Sequence, residues 1–168
     1  ALTGVEIWST HVGSSVGAPL SISQGVLYFG DNGGRIYALD ASTGEMLWAT
    51  PLGAQIDFAS PVVAEGMVYI GVGSYPDGTM YALDESNGGI IWSAHAYGGP
   101  IYSAAAYADG IVFCTADNGH LYAWDALTGA VLQDQVVSAY SMMSSAALSN
   151  GYIVVCDMWG GVTAYGFE

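Results

Sequence analysis

The amino-acid sequence predicts an all-β protein, a β-propeller made of four-stranded antiparallel sheets arranged around an axis. Three observations lead to this prediction. The sequence repeats with a period of about 42 residues. Each repeat consists of short β-branched and aromatic runs separated by glycine-containing turns. Small residues mark the first strand of each repeat, whereas aromatic residues mark the third and fourth.

One motif defines the repeat. In the first complete copy an Asp is followed by two residues, then Thr-Gly, then three residues and a Trp. The same order returns at residues 82–92, with Asn87 in place of Thr, and at residues 123–133, with Gln133 in place of Trp. The motif residues are Asp40, Gly44 and Trp48, then Asp84, Gly88 and Trp92, then Asp125 and Gly129, and finally Trp8 of a fourth copy.

The fourth copy is divided between the two ends of the chain. Residues 163–166 match the beginning of the motif, and Thr3-Gly4 with Trp8 matches the remainder. We therefore predict one repeat domain, residues 1–168, with blades over about residues 12–51, 52–95, 96–136 and 137–168. The last blade has predicted strands at residues 144–148, 152–157 and 162–167, and residues 1–11 complete it, with residues 4–11 as its fourth strand.

The individual strands follow from hydrophobic runs between turn residues. In the second copy we predict strands at residues 60–64, 67–71, 79–84 and 89–94, with a turn at Pro76-Asp77-Gly78. The first strand of each copy is rich in Ala and Ser, because bulky side chains cannot fit where blades converge on the axis. These small residues lie at 18–23, 59–60, 103–106 and 144–147.

The repeated Asp-x-x-Thr-Gly-x-x-x-Trp pattern resembles the tryptophan-docking motif of the PQQ-like (quinoprotein) β-propeller repeat family. In that family the Trp stacks over a peptide of the adjacent motif, so the resemblance implies structural roles for the motif residues. Rings of the family usually have seven or eight blades, which would need a chain about twice as long as this one. We therefore favour half of an eight-bladed ring, completed by a second copy or by the rest of a longer chain. A closed four-bladed ring is the alternative.

Charge excludes several classes of partner. The chain has fifteen Asp and Glu residues, one Lys or Arg (Arg35), and a formal net charge of −14. Nucleic-acid binding needs clustered Lys and Arg, so we expect none. An anionic membrane surface would repel the chain, and no apolar run is long enough to insert. The chain opens Ala-Leu-Thr-Gly without a signal-peptide pattern, and we expect a processed, excised or recombinant product.

Two kinds of loop lie on the same rim of the predicted propeller: those that join second to third strands, and those that join each fourth strand to the next first strand. We expect any ligand site on this rim. By resemblance, a quinoprotein dehydrogenase would need calcium, a carboxylate base, an aromatic platform and cations for the carboxylates of PQQ. Asp57 and Asp157 could supply oxygens, as could Asn118, and Trp159 could supply the platform. The cations are missing, and no adjacent Cys-Cys pair occurs. We expect no cofactor for the chain on its own, and PQQ with calcium only within a longer dehydrogenase.

The remaining candidate groups predict no site. His11, His95 and His120 fall on separate loops and strands, so we expect no metal centre. Cys114 and Cys156 are offset by one position on corresponding strands and would face opposite sides, which predicts two buried thiols and no disulfide.

Three functions remain open. The first is a non-catalytic propeller scaffold or binding module for a protein or polymer partner, periplasmic or extracellular. The second is a fragment of a PQQ-dependent alcohol or polyol dehydrogenase, which would continue upstream with four more repeats and basic residues. The third is an assembly module whose half-ring faces or unpaired end strands drive dimerisation.

Overall fold

The computed structural model describes residues 4–166, without the side chain of Ser74, and shows four antiparallel β-sheets. Sheet 1 consists of β1 (Ser21–Ser23), β2 (Val26–Gly30), β3 (Arg35–Asp40) and β4 (Met46–Pro51). Sheet 2 consists of β5 (Val62–Ala64), β6 (Met67–Ser74), β7 (Asp77–Asp84) and β8 (Ile90–Ala96). Sheet 3 consists of β9 (Ala106–Ala108), β10 (Ile111–Thr115), β11 (His120–Asp125) and β12 (Val131–Val136). Sheet 4 consists of β13 (Ala147–Ser149), β14 (Tyr152–Cys156) and β15 (Val162–Gly166).

Successive sheets meet through their first strands, which places those strands around a common axis. β1 contacts β5, β5 contacts β9, and β9 contacts β13. Within each sheet every strand pairs with the one before it in sequence, the meander that a propeller blade requires. This architecture confirms the predicted propeller fold. Residues 4–166 contain no α-helix, and therefore no helical segment able to cross a membrane.

Each motif Asp caps the turn between the third and fourth strands. The Asp40 Oδ1 atom accepts the backbone N–H groups of Ser42 (2.8 Å) and Thr43 (2.9 Å), together with both hydroxyls. These hydrogen bonds hold the pKa of Asp40 below its ordinary value, because they stabilise the ionised carboxylate. Asp84 and Asp125 cap their turns in the same way, with the same direction of pKa shift.

Each motif Trp joins its sheet to the next one. The Trp48 indole N–H donates to the Glu85 carbonyl (2.9 Å), and the Trp92 indole N–H donates to the Ala126 carbonyl (2.8 Å). Both rings are almost fully buried, and each rests on the Gly of the neighbouring turn. A Cβ built on Gly88 would lie 2.5 Å from the Trp48 ring, so this position must be Gly.

The contact between sheets 3 and 4 lacks this tryptophan. Gln133 occupies the corresponding place on β12, where its amide donates to Gln135. Burial of Phe113, Leu121 and other apolar residues joins the two sheets instead. A groove of about 340 Å³ lies between sheets 3 and 4 and is lined in part by Gln133 and Tyr165.

Two groups of strand predictions need correction. The first strands begin later than predicted: β5 starts at Val62, β9 at Ala106 and β13 at Ala147, so the small residues before them lie in the connections. Asp77 and Gly78 belong to β7, because β6 and β7 pair as far as Ser74 and Asp77, which leaves Tyr75-Pro76 as the turn. β15 ends at Gly166 in the described part of the chain, and the predicted strand residue Phe167 lies outside it.

The N-terminal arm, residues 4–10, is not a β-strand within the described part of the chain, although we predicted one at residues 4–11. It has no strand partner there, since no backbone hydrogen bond joins it to β15. The arm nevertheless carries the tryptophan contact, because the Trp8 indole N–H donates to the Ala41 carbonyl (3.1 Å) and the ring rests on Gly44. Thr3, which we assigned to the same repeat copy, lies outside the described residues.

Two glycine substitutions in sheet 2 separate the tryptophan contact from backbone strain. Gly66 and Gly88 both have positive φ (76° and 71°), but a Cβ on Gly66 meets nothing within 4 Å. We expect Gly66→Ala to cost about 1–2 kcal/mol of unfolding free energy from its left-handed backbone. Gly88→Ala should cost roughly 1–3 kcal/mol more, because the new methyl group displaces the Trp48 ring. Urea unfolding of both variants measures the difference, and equal losses would contradict the docking role of Gly88.

Candidate functional site at the loop rim

Backbone hydrogen bonds fasten the two kinds of rim connection to each other in all four repeats, and in sheet 2 the Gly73 N–H near the end of β6 donates to the Gln55 carbonyl (3.1 Å). In sheet 1 the Asn32 N–H donates to the Ser15 carbonyl (2.9 Å). The corresponding bonds run from Asp117 to Pro100 (3.0 Å) and from Met158 to Ser141 (3.1 Å). Because the same bond recurs, loops of both kinds lie together at one end of the propeller and are held in place by backbone contacts.

Two pairs of aromatic side chains lie on this rim, in the connections of sheets 2 to 4. Phe58 meets Tyr102 edge to face, with ring centroids 5.9 Å apart, and Tyr140 packs on Trp159 at 5.3 Å. Trp159 is 78% exposed, more than any other tryptophan among the described residues. We call these four residues together with the exposed Tyr75 the aromatic rim. Large exposed rings on anchored loops are typical of binding surfaces.

Carboxylates lie beside the aromatic rim. Partial burial raises the pKa of Tyr102, and the nearby carboxylates of Asp117 and Asp57 raise it further by disfavouring the phenolate. Asp117 accepts a hydrogen bond from the Ser141 hydroxyl, which ties it to the connection that carries Tyr140. The chain's single Arg or Lys, Arg35, begins β3 in sheet 1. The rim of sheets 2 to 4 is therefore negatively charged.

Asp157, predicted as a cofactor ligand, caps the hairpin between β14 and β15. Its carboxylate accepts the backbone N–H groups of Gly161 (2.9 Å) and Trp159 (3.0 Å) and the Ser138 hydroxyl (2.8 Å). The Gly161 bond is the largest of the causes that lower the pKa of Asp157. Asp31 occupies the same place in sheet 1, where it accepts the Arg35 N–H (3.0 Å). The hydrogen bonds of Asp157 thus match those of a structural cap.

The structure brings two of the three predicted site residues together. Asp157 and Trp159 share one loop, whereas Asp57 lies between β4 and β5, where it accepts a hydrogen bond from Gln55. No hydrogen bond or ring contact among residues 4–166 joins Asp57 to the other two. Their assignment to a cofactor stays a prediction. The described residues include no group of three His, Cys, Asp or Glu side chains placed to hold a metal ion.

Sequence reasoning missed most of the aromatic rim. It singled out Trp159, but not the pairing of Phe58 with Tyr102 or of Trp159 with Tyr140. A usable signal was present, because an aromatic residue recurs in the connection that precedes the first strand of sheets 2, 3 and 4. Both cysteines are free, as predicted, but only Cys114 is buried, whereas Cys156 is half-buried. Burial raises the pKa of the Cys114 thiol.

The fold and the docking motif define a propeller built from PQQ-like repeats, and comparison with known proteins agrees. The family described as outer membrane protein assembly factor BamB matches residues 1–139 and 76–166. The chain belongs to this family. No curated protein is significantly similar to it in sequence.

Solved structures share the fold. BamB from Moraxella catarrhalis superposes with a TM-score of 0.82 at 20% identity, over 95% of this chain and 49% of that one. The computationally designed Ika4 protein gives 0.85 at 22% identity, over 99% of this chain and 100% of that one. The quinohemoprotein alcohol dehydrogenase ADHIIG from Pseudomonas putida HK5 gives 0.68 at 19% identity, over 88% of this chain and 34% of that one. The chain thus spans about half the length of the BamB chain.

The hairpin-cap role of Asp157 has a pH signature. Its pKa is lower in the folded state, so its contribution to stability is present above the unfolded pKa of about 3.9 and is lost as pH falls through the folded value. We expect Asp157→Asn to be less stable than the parent at pH 7, and the difference to shrink at pH 3. Urea unfolding at the two pH values measures this.

Asp57→Asn is the matched control, because it removes a carboxylate of the same rim that accepts a side-chain bond from Gln55 instead of backbone N–H groups. We expect it to change stability less than Asp157→Asn at pH 7. If both variants lose the same stability at pH 7, the capping role of Asp157 is wrong.

Proposed function

We propose that this chain is a β-propeller binding module whose aromatic rim takes up a positively charged segment of a protein partner, and that it is not an enzyme on its own. One observation carries the proposal: the aromatic rim spans three sheets beside carboxylates. Its rings are anchored on loops fastened by backbone hydrogen bonds, so a partner would meet a largely preformed surface.

The chemistry of the rim suits Lys and Arg side chains. A cation over the face of an exposed aromatic ring gains about 0.5–1 kcal/mol. Asp57 and Asp117 flank Tyr102 and add attraction to the same cations. The net charge of −14 would also speed the encounter with a basic partner and would disfavour an acidic one.

Family membership supports a partner-binding role. The description of the family is that of an outer membrane protein assembly factor. For this chain we propose a scaffold role, in the periplasm or outside the cell. A rim that binds a segment of a protein is consistent with such a role.

A second candidate is that the chain forms part of a longer PQQ-dependent alcohol or polyol dehydrogenase. The likeness to the quinohemoprotein alcohol dehydrogenase favours it. The described residues do not fit the cofactor by themselves. The carboxylate of Asp157 is occupied by its own loop, and Arg35 is the single Arg or Lys available for the carboxylates of PQQ. Stoichiometric binding of PQQ in the presence of calcium, measured by equilibrium dialysis, would favour this candidate over the first.

Binding of a lysine decamer tests the proposed function. We expect it to change the fluorescence of the exposed Trp159 and to bind more weakly as salt increases, whereas a glutamate decamer should not bind. Trp159→Ala removes one ring, and calorimetric titration should show a Kd raised roughly two- to five-fold.

Leu127→Ala provides the control, because Leu127 is 65% exposed in the turn between β11 and β12, at the end of the sheets opposite the rim. Its Kd should equal that of the parent. Equal affinity for the two decamers, or equal losses in the two variants, would overturn the proposed site.

A further inference from the structure

In sheet 4, the last described strand, β15, has one unpaired edge and one exposed apolar side. Val162, Leu121 and Ile36 hold the same position on the third strands of sheets 4, 3 and 1. They pair with Cys156, Thr115 and Gly30 on the second strands, respectively. Ile36 and Leu121 are 0% and 5% exposed because the next sheet covers them, whereas Val162 is 70% exposed. Among residues 4–166, neither a fourth strand beside β15 nor a sheet covering its Val162 side is present.

The N-terminal arm occupies the place of a fourth strand, but no third strand lies beside it among the described residues. Its Thr10 hydroxyl donates to the Gly44 carbonyl (2.8 Å), as Thr50 on β4 donates to Gly88 (2.7 Å). With the Trp8 contact, the arm is docked on sheet 1 as β4 is docked on sheet 2. Ile7 is 87% exposed on the arm, whereas Leu47 at the corresponding place on β4 is 50% exposed. The arm thus holds the position of the outermost strand of a preceding sheet.

Sheet 1 also exposes part of the face that a preceding sheet would cover, although Phe29 and Leu39 on the same face are buried. Leu27 on β2 corresponds to Val68 and Val112, which are both 0% exposed, but Leu27 itself is only partly buried. A groove of about 200 Å³ lies over it, lined also by Val16 and Leu20 and by the Trp8 ring of the arm. The exposed face of sheet 1 is therefore apolar, as is the exposed side of Val162 on sheet 4.

These two unfinished ends complement each other, but one chain does not join them. First strands of neighbouring sheets contact each other from β1 to β13, and no comparable contact links β13 to β1 among the described residues. We propose that a second copy of this chain supplies the missing parts, so that the arm of each copy becomes the fourth strand of sheet 4 in the other. Two copies then form one ring of eight four-stranded sheets with two identical seams, in which β15 is paired on both sides.

The pairing at the seam follows from sheet 1. On β3 and β4, Tyr37 lies opposite Ala49 and Ile36 lies opposite Thr50. By correspondence, Thr163 of one copy lies opposite Ser9 of the other, and Val162 opposite Thr10. The seam resembles the contacts of sheet 1 with sheet 2 and of sheet 2 with sheet 3, each of which combines one docked Trp with buried apolar faces.

The molar mass in solution is the first test. Multi-angle light scattering of the 168-residue chain should give twice 17.4 kDa, about 35 kDa. A mass of 17.4 kDa at every concentration would overturn the proposal, whether the chain closes on itself or awaits a longer continuation. Higher oligomers or filaments would also overturn it, because the heterologous contact would then not close into a two-copy ring.

Crosslinking distinguishes pairing between copies from closure within one chain. The Ser9→Cys/Thr163→Cys double variant, in a Cys156→Ser background, should form a covalent dimer on non-reducing electrophoresis. An internal disulfide in a monomer, or no disulfide, would overturn the proposal. The control pairs Ser9→Cys with Ser149→Cys on β13, the first strand of sheet 4, which should stay uncrosslinked.

Val162→Lys provides a test that does not depend on a disulfide. The side chain is exposed in the single chain, so the variant should fold, with a circular dichroism spectrum like that of the parent. A buried lysine at the seam would separate the copies, so the measured mass should fall by half. A folded variant that keeps the dimer mass would contradict the proposed seam.

Discussion

The structure depends on one repeated contact, a tryptophan that lies on a glycine of the neighbouring turn and donates its indole N–H to a carbonyl of that turn. Trp48 and Trp92 make this contact within the chain, and Trp8 makes it from the N-terminal arm. The contact needs a capped turn, which the motif Asp supplies, and a residue without a side chain, which is Gly88 for Trp48. Sheets 1 and 2 dock on the next sheet through this contact, and sheet 3 docks on sheet 4 through buried apolar residues. The sheets are therefore arranged radially, and their loops gather at a rim.

The sequence was sufficient to predict this scaffold, because every part of the contact is local. Asp, Gly and Trp stand at fixed spacing, and their structural roles are those implied by the resemblance to PQQ-like repeats. Strand positions were predicted less well where pairing extends beyond the hydrophobic run. β7, for example, begins at Asp77 because β6 continues to Ser74 beside it. The first strands are short, because the small residues before them serve as connections.

The site was less predictable, because it depends on contacts between loops distant in sequence. Asp157 has the residue type of a metal ligand, but its carboxylate accepts hydrogen bonds from its own hairpin. Neither spacing nor composition indicates that Phe58 meets Tyr102 across two connections. The sequence favoured half of an eight-bladed ring over a closed four-bladed one, but it left open whether a second copy or a longer chain completes the ring. The binding role that we propose uses the rim, and the proposed assembly uses the seam, so each can fail without the other.

Hydrogen exchange of the tryptophan indole N–H groups, followed by NMR, tests the docking contact most directly. The N–H groups of Trp48 and Trp92 are hydrogen-bonded and almost fully buried, whereas Trp159 is 78% exposed. The account predicts slow exchange for Trp48 and Trp92 and exchange at the solvent rate for Trp159. Exchange of Trp48 and Trp92 as fast as that of Trp159 would contradict it.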